Sequence, residues 1–129
     1  MNLDSLPDAI RWAIEAAQDK KAAAVTVLGL DGLGAFADYF LICSAESSRQ
    51  IEAIGEAIDE RLSQHGLRFQ HREGRAGTEW LLLDYGRFIV HVFSERARLF
   101  YDIERLWRSA KRAEIPEPGA PTARGADAR

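Results

Sequence analysis

The residue types that most often carry out catalysis are few in this chain of 129 residues, and they fall on separate predicted elements. Cys43 stands inside an apolar run, where a thiol is ordinarily inert. His65, His71 and His91 lie on different elements. Nucleophilic catalysis needs a nucleophile, a base beside it and a group that orients the base. Because the sequence offers no such set, we predict no catalytic residue.

Metal and phosphate sites are equally poorly supported by the spacing of acidic residues and glycines. No HExxH pattern, cysteine pair or EF-hand loop occurs. Two-metal phosphoryl transfer needs neighbouring carboxylates, whereas Asp31, Asp38 and Asp84 are single acids. The glycine-rich residues 29–34 do not form GxGxxG and are not followed by Lys-Ser or Lys-Thr. We therefore predict neither a metal nor a cofactor.

Composition excludes several further classes of protein. A single cysteine cannot form an internal disulfide, which favours a reducing cytoplasm. There is no run of about 18 uncharged apolar residues, so we expect no membrane span. Residues 1–18 lack the pattern of a signal peptide. The net charge of −3 argues against a general nucleic-acid coat, and we expect no direct sequence-specific nucleic-acid binding.

Charge is nevertheless unevenly distributed along the chain. Residues 46–61 carry five acids and two bases, whereas residues 87–112 carry seven bases and three acids. Two interpretations stay open: both segments are ordinary solvated helix faces, or the basic segment faces an RNA-rich partner.

Hydrophobic periodicity predicts three helices. The first covers residues 5–19, with Ser5 as its N-cap and apolar residues at helical spacing. The second begins after Ser47, which forms a capping-box pattern with Gln50. The third begins near residue 95 and carries a broad apolar stripe. This stripe consists of Leu99, Phe100, Ile103, Leu106 and Trp107.

The runs between these helices predict five strands, at residues 23–28, 39–43, 67–71, 79–85 and 88–93. The order of elements predicts an α/β (α+β) fold, in which a mixed five-stranded sheet is flanked by helices. Residues 1–115 would form this single domain. Residues 116–129 hold three of the four prolines and no large apolar side chain, so we predict a disordered C-terminal tail.

The hairpin formed by the last two predicted strands is the most informative element. Gly86-Arg87 fits a two-residue type II′ turn, which fixes the residues that lie opposite one another. Strand alternation then divides the hairpin into two faces. The apolar face consists of Leu81, Leu83, Tyr85, Phe88, Val90 and Val92. The mixed face consists of Trp80, Leu82, Asp84, Ile89, His91 and Phe93.

The mixed face admits two interpretations. A fully buried face would rarely hold an unpaired carboxylate and an imidazole, and a solvent face would rarely hold so many large apolar side chains. Aromatic anchors ringed by polar groups are typical of protein interfaces. The face is therefore either a protein-binding surface or a layer covered by the first or third helix, with Asp84 and His91 satisfied internally.

Several sequence blocks, in order and with matching gaps, carry a resemblance to a known family. They are DYFLIC from Asp38, SSRQI from Ser47, Glu73-Gly74, GTEWLLLDYG from Gly77, VHVF from Val90 and FYDIERLW from Phe100. Over residues 10–107 the chain resembles the bacterial ribosomal silencing factors, also called the Iojap family.

The resemblance implies a translational regulator without enzymatic activity. Members of the family bind the large ribosomal subunit through ribosomal protein number fourteen, at the face that meets the small subunit. They thereby hinder subunit joining and repress translation when nutrients run short. They are commonly homodimers when off the ribosome. Their fold resembles that of nucleotidyltransferases but lacks the metal-binding acids of those enzymes.

The family's partner-binding surface is centred on the Trp-containing strand and its hairpin mate. The resemblance carries this role to Trp80, Leu82, Asp84 and Tyr85, with Glu73 and Gly74 alongside, and the composition of the mixed face adds His91.

The chain departs from the family pattern at two places. Arg87 stands where the turn residue is often Asp, and residues 29–37 are glycine-rich where Ser and Thr are common. A small nucleotide-handling enzyme of nucleotidyltransferase type is the alternative function. The carboxylate pair that such an enzyme needs is absent from the sequence.

Overall fold

The computed structural model describes residues 1–119, which contain four α-helices and six strands. The helices are α1 (Asp8–Asp19), α2 (Ser48–Ser63), α3 (Glu95–Tyr101) and α4 (Ile103–Leu106). The strands are β1 (Ala23–Gly29), β2 (Tyr39–Ala45), β3 (His71–Glu73), β4 (Trp80–Asp84), β5 (Phe88–Ser94) and β6 (Lys111–Glu114). A short 3-10 turn at Leu3–Ser5 precedes α1.

The strands form one mixed sheet in the order β3-β4-β5-β2-β1-β6. β2 and β5 run parallel, and every other neighbouring pair in this order is antiparallel. This arrangement confirms the predicted α+β class. The predicted number of five strands is wrong, because β6 adds a sixth strand beside β1. β6 lies in a charged run and buries only Ala113, so it leaves no clear alternating signal.

The main core lies between the apolar face of the sheet and helices α1 and α2. Each helix turns an apolar stripe inward: Ile10 and Ile14 of α1, and Ile54 and Ile58 of α2, are all buried. Burial of such a stripe is the main source of helix stability in proteins. Because the buried stripe recurs at helical spacing in the sequence, hydrophobic periodicity predicts both helices.

The N-termini of these two helices differ in how well the sequence predicts them. Ser47 caps α2, because its Oγ accepts a hydrogen bond from the backbone N–H of Gln50 at 3.1 Å. The Gln50 side chain in turn accepts a hydrogen bond from the backbone N–H of Glu46 at 2.7 Å, whereas a capping box would use the N–H of Ser47 itself. The predicted Ser5 cap is wrong. α1 begins only at Asp8, and Ser5 ends the 3-10 turn that Asn2 caps.

The strand predicted at residues 67–71 is displaced toward the C-terminus. β3 instead pairs His71 with Asp84 and Glu73 with Leu82 of β4. The alternation that suggested an earlier strand reflects Phe69, which packs on the main core from an irregular segment.

The third predicted helix is broken in two. Ser94 caps α3 by accepting a hydrogen bond from the backbone N–H of Ala97 at 3.0 Å, which confirms the predicted start. At Asp102 the backbone adopts the left-handed conformation, with φ of 46° and ψ of 50°. We call residues 95–107 the helical corner. The predicted continuous stripe is wrong, because the kink turns part of it toward solvent.

No helix within residues 1–119 is long and apolar enough to cross a membrane. Residues 116–119 of the predicted tail are described, and residues 120–129 lie outside the described residues. The Gln18 side chain of α1 donates a hydrogen bond to the Pro116 carbonyl at 2.8 Å. This contact holds the end of the described chain against α1.

Candidate partner-binding surface

The β4–β5 hairpin has the predicted register. Its pairs run from Trp80 opposite Phe93 to Asp84 opposite Ile89. Gly86, unlike Arg87, has a positive φ, of 88°, as the first position of a type II′ turn requires. The two faces inferred from the sequence are therefore the two faces of the folded hairpin.

The mixed face continues across the sheet on both sides of the hairpin. β3 places Glu73 opposite Leu82, and β2 places Phe40 opposite Ile89. Residues opposite one another in register share a face of the sheet. The surface thus runs from an exposed acidic edge at β3 to an apolar layer at β2.

The helical corner covers one half of the mixed face and leaves the other half open. Beneath the corner, His91 and Phe93 are buried, and Phe93 joins an apolar cluster that includes side chains of the corner. In the open half, Leu82, Asp84 and Ile89 remain half-buried. The interpretation as a covered layer therefore holds for the half beneath the corner, and the open half is the part that a partner could reach.

Trp80 stands at the boundary between the covered and the open half. Its indole Nε1 donates a hydrogen bond to Nδ1 of His91 at 3.1 Å. Its ring stacks on Phe93, with centroids 4.9 Å apart, and contacts Tyr101 of the helical corner, with centroids 4.7 Å apart. These contacts hold a half-buried aromatic side chain in one orientation, as in the anchor residues of protein interfaces.

His91 supports Trp80 from within the fold. The residue is 4% exposed, and burial lowers the pKa of its imidazole to about 4, so the ring is neutral at pH 7. Because Nδ1 accepts the bond from Trp80, the ring proton is assigned to Nε2. Nε2 has no hydrogen-bond partner among the described residues. The prediction that His91 contacts a partner directly is therefore corrected: the ring orients Trp80 from below.

Asp84 and Tyr85 lie on opposite sides of the sheet. Asp84 Oδ1 accepts a hydrogen bond from the backbone N–H of Gly86 at 2.8 Å, which fixes its carboxylate beside the turn. The ring of Tyr85 packs on the main core and stacks on Phe88, with centroids 5.1 Å apart. Burial raises the pKa of its phenol. The structure thus separates Tyr85 from the other predicted partner-binding residues.

Glu73 and Gly74 form the edge of the surface beside β4. Glu73 is exposed, and its Oε2 lies 2.7 Å from Nε2 of His71. Gly74 has φ of 103°, and a Cβ placed there would lie 2.7 Å from the carbonyl oxygen of Trp80. Only glycine fits such a position without strain. Gly74 therefore shapes the surface by letting the chain pass close to Trp80.

Outside this surface, the structure keeps the reactive residue types apart. Within residues 1–119, no group of three or more His, Cys, Asp or Glu side chains is placed to hold a metal ion. Burial raises the pKa of the Cys43 thiol to about 12, so its nucleophilic thiolate form is negligible at neutral pH. Asp38, one of the single acids of the sequence, pairs with Arg87, whose Nε donates a hydrogen bond to its Oδ2 at 3.2 Å. This pair ties the hairpin turn to the loop before β2.

The sequence alone did not indicate that Tyr101 belongs to this surface. It lies between residues of the predicted apolar stripe without belonging to that stripe, and the structure places it, 50% exposed, against Trp80. The available signal was Asp102, since Asp tolerates the left-handed conformation better than most residues.

Comparison with known proteins identifies one family. A family model described as "Ribosomal silencing factor during starvation" matches residues 3–129. The chain belongs to the ribosomal silencing factor family. Proteins named ribosomal silencing factor from Halalkalibacterium halodurans and Bacillus subtilis are each 35% identical to it over 106 residues. The matched region is 82% of this chain and 91% and 90% of those two proteins.

A solved structure is similar over nearly its whole length. The crystal structure of a protein from Chromobacterium violaceum superposes on this chain with a TM-score of 0.76 at 28% identity. The match covers 92% of this chain and 96% of that one. The descriptions of the family and of its members name a regulatory role and no reaction. They confirm the prediction that the chain is not an enzyme.

Proposed function

We propose that this ribosomal silencing factor binds the large ribosomal subunit through ribosomal protein number fourteen. Bound there, it blocks association with the small subunit and represses translation under nutrient limitation. The family assignment supports the silencing role. The choice of ribosomal protein number fourteen as the partner rests on the resemblance of the hairpin to the family. The mixed face supplies a physical basis for binding a protein there.

The open half of the mixed face is the observation that carries this proposal. Trp80 is half-buried, is held from below and has Leu82 and Asp84 in the same face. A rigid aromatic anchor with apolar and acidic neighbours is a composition suited to binding a protein. The carboxylates of Glu73 and Asp84 would attract basic side chains of a partner that itself lies against ribosomal RNA.

Inhibition of subunit joining would be steric. A folded domain of about 100 residues has a radius of gyration of about 13 Å. A body of that size on the joining face prevents the small subunit from reaching the same surface. This mechanism involves no bond making and no cofactor.

A sucrose-gradient experiment tests the proposal. Purified protein added to separated subunits should co-sediment with the large subunit and lower the full-ribosome peak. The Trp80→Ala variant at equal concentration should lower that peak less. An unchanged full-ribosome peak at saturating wild-type protein would contradict the proposal.

The resemblance also supports three further proposals about this protein. Off the ribosome it is a homodimer, and it works in the cytoplasm. It reaches the ribosome through protein contacts rather than sequence-specific RNA contacts. Sedimentation equilibrium tests the first property. The expected result is twice the mass of one chain at micromolar concentration, and a single-chain mass at all concentrations would contradict it.

A further inference from the structure

The helical corner turns several large apolar side chains to solvent. Leu99, Phe100, Tyr101 and Leu106 are 81%, 78%, 50% and 76% exposed. We call these four residues the corner patch. Together with Arg105 and Arg108 they line one shallow hollow on the outside of the corner. Clustered exposure of this kind is unusual on a soluble protein and marks interaction sites.

The corner patch is not what attaches the corner to the sheet. Arg98, on the inward side, donates hydrogen bonds to Ser44 Oγ at 2.9 Å and to the Ala24 carbonyl at 2.8 Å. It also pairs with Glu104 at 2.7 Å, and both side chains of this pair are largely buried. The corner is therefore attached to the sheet by these polar contacts and by apolar side chains on its inner side, namely Ala97, Ile103 and Trp107. Leu99, Phe100 and Leu106 on its outer side are exposed and take no part in this attachment.

The corner patch is continuous with the Trp80 surface. The ring of Tyr101 lies 4.7 Å from that of Trp80, and the ring of Phe100 lies 5.0 Å from that of Tyr101 in edge-to-face contact. A partner that covers Trp80 therefore meets the patch without crossing an intervening polar strip.

The size of protein interfaces requires such an extension. A stable interface takes about 800 Å² and about 20–30 residues from each partner. The open half of the mixed face supplies only Trp80, Leu82, Asp84 and Ile89, with Glu73 at its edge. A partner seated there must also cover neighbouring surface, and the corner patch is apolar surface that adjoins it.

We propose that the corner patch is the second half of the partner-binding surface, where it receives an apolar segment with acidic side chains beside it. The segment belongs to the same protein that covers Trp80, so the inference rests on the proposed function. Arg105 and Arg108 are exposed, and neither forms an ion pair with another of residues 1–119. Acidic groups on the partner would pair with them.

The charge of the patch favours this occupant over a second copy of the chain. Two corner patches facing each other across a two-fold axis would bring together four arginines and only the two carboxylates of Asp102, which leaves a net positive charge between them. Nucleic acid is also disfavoured, because three exposed aliphatic and aromatic side chains, Leu99, Phe100 and Leu106, offer little to a phosphate backbone.

The double variant Leu99→Glu/Phe100→Glu tests the inference. Both positions are exposed, so the melting temperature should stay that of the wild type. The matched control is Leu67→Glu, which adds a carboxylate at an exposed apolar residue just after α2. Binding is measured with two probes, isolated ribosomal protein number fourteen and purified large subunits. The expected result is at least a tenfold loss of affinity for both probes in the double variant and none in the control.

Each other outcome overturns the inference in a recognisable way. Wild-type affinity of the double variant, with weakened binding of Trp80→Ala, would leave the proposed function standing and remove the corner from the interface. Lost affinity for subunits but not for the isolated protein would assign the patch to RNA. Altered self-association with unchanged affinity for both probes would assign it to a second copy. Failure of the wild type to bind either probe would contradict the proposed function itself.

Discussion

The two faces of the sheet share the same strands but differ in what covers them. On the apolar face, Leu81, Leu83, Val90 and Val92 are completely enclosed beneath α1 and α2. On the mixed face, two short helices cover only part of the surface, and the rest stays half-buried. Burial alone explains why the apolar face consists of apolar side chains, since enclosed apolar area is the main source of stability. The second face presents side chains in fixed orientations.

The contacts that hold each cover show the same difference. α1 and α2 are held by apolar side chains, which have no directional preference. The helical corner is held both by apolar side chains on its inner side and by Arg98, whose guanidinium reaches Ser44, Thr26 and Glu104. Buried ion pairs add little net stability compared with apolar contacts. Their hydrogen bonds are directional, however, so they set the angle at which the corner places Tyr101 against Trp80.

Truncation on the apolar face should have the largest effect on stability. Leu81→Ala removes an enclosed side chain and leaves a cavity, which should lower the free energy of unfolding by about 2–5 kcal/mol. Binding to large subunits per folded molecule should not change. Chemical denaturation together with a binding titration measures both quantities.

The neighbouring variant Leu82→Ala is the matched control for Leu81→Ala, because it shortens the same side chain on the opposite face of the same strand. It should cost less stability and weaken binding. Equal stability losses in the two variants would contradict the distinction between the faces.

Lowering the pH should reduce the free energy of unfolding, because His91 is buried in its neutral form. Burial lowers its pKa from 6.5 to about 4. The unfolded chain therefore binds more protons than the folded chain between these values, and stability is lost as the pH falls through that window. The full loss is about 3 kcal/mol. Denaturation midpoints from pH 7 to pH 4 measure it, and His91→Asn should flatten this pH dependence. An unchanged slope in the variant would assign the loss to other groups.

The parts of the fold that were predictable are those in which burial follows a simple period. The stripes of α1 and α2 and the alternation of β4 and β5 each leave a repeating apolar pattern, and the hairpin register followed from Gly86. β6 and the break at Asp102 leave no such pattern. A charged edge strand with one buried alanine, and a left-handed residue inside an apolar stripe, are decided by tertiary contacts.

The candidate site was predictable in its composition but not in its exposure. Alternation placed Trp80 and His91 on one face, yet it could not distinguish a half-exposed indole from a buried imidazole on that face. That distinction depends on the helical corner, which covers His91 and stops at Trp80. Long-range packing of this kind has no local sequence signal.

The smallest effect is expected from removal of the C-terminal residues that follow β6 and Ile115. Removal of residues 116–129 takes away no large apolar side chain and, among the described residues 116–119, the hydrogen bond from Gln18 to the Pro116 carbonyl. The truncated chain should melt within about two degrees of the full chain and bind large subunits with similar affinity. Calorimetry and co-sedimentation check the two results. A tenfold loss of affinity would show that this segment contacts the partner.

The most direct test of the partner-binding surface compares two half-buried tryptophans. Trp80 lies on the mixed face, and Trp12 lies on α1, where it stacks on His65 with centroids 3.5 Å apart. Trp80→Ala should weaken binding to large subunits at least about thirtyfold, or about 2 kcal/mol, and Trp12→Ala should leave affinity per folded molecule unchanged. Unchanged affinity of Trp80→Ala, with a stability loss of about 3–5 kcal/mol, would instead make Trp80 a core residue and contradict the interface assignment.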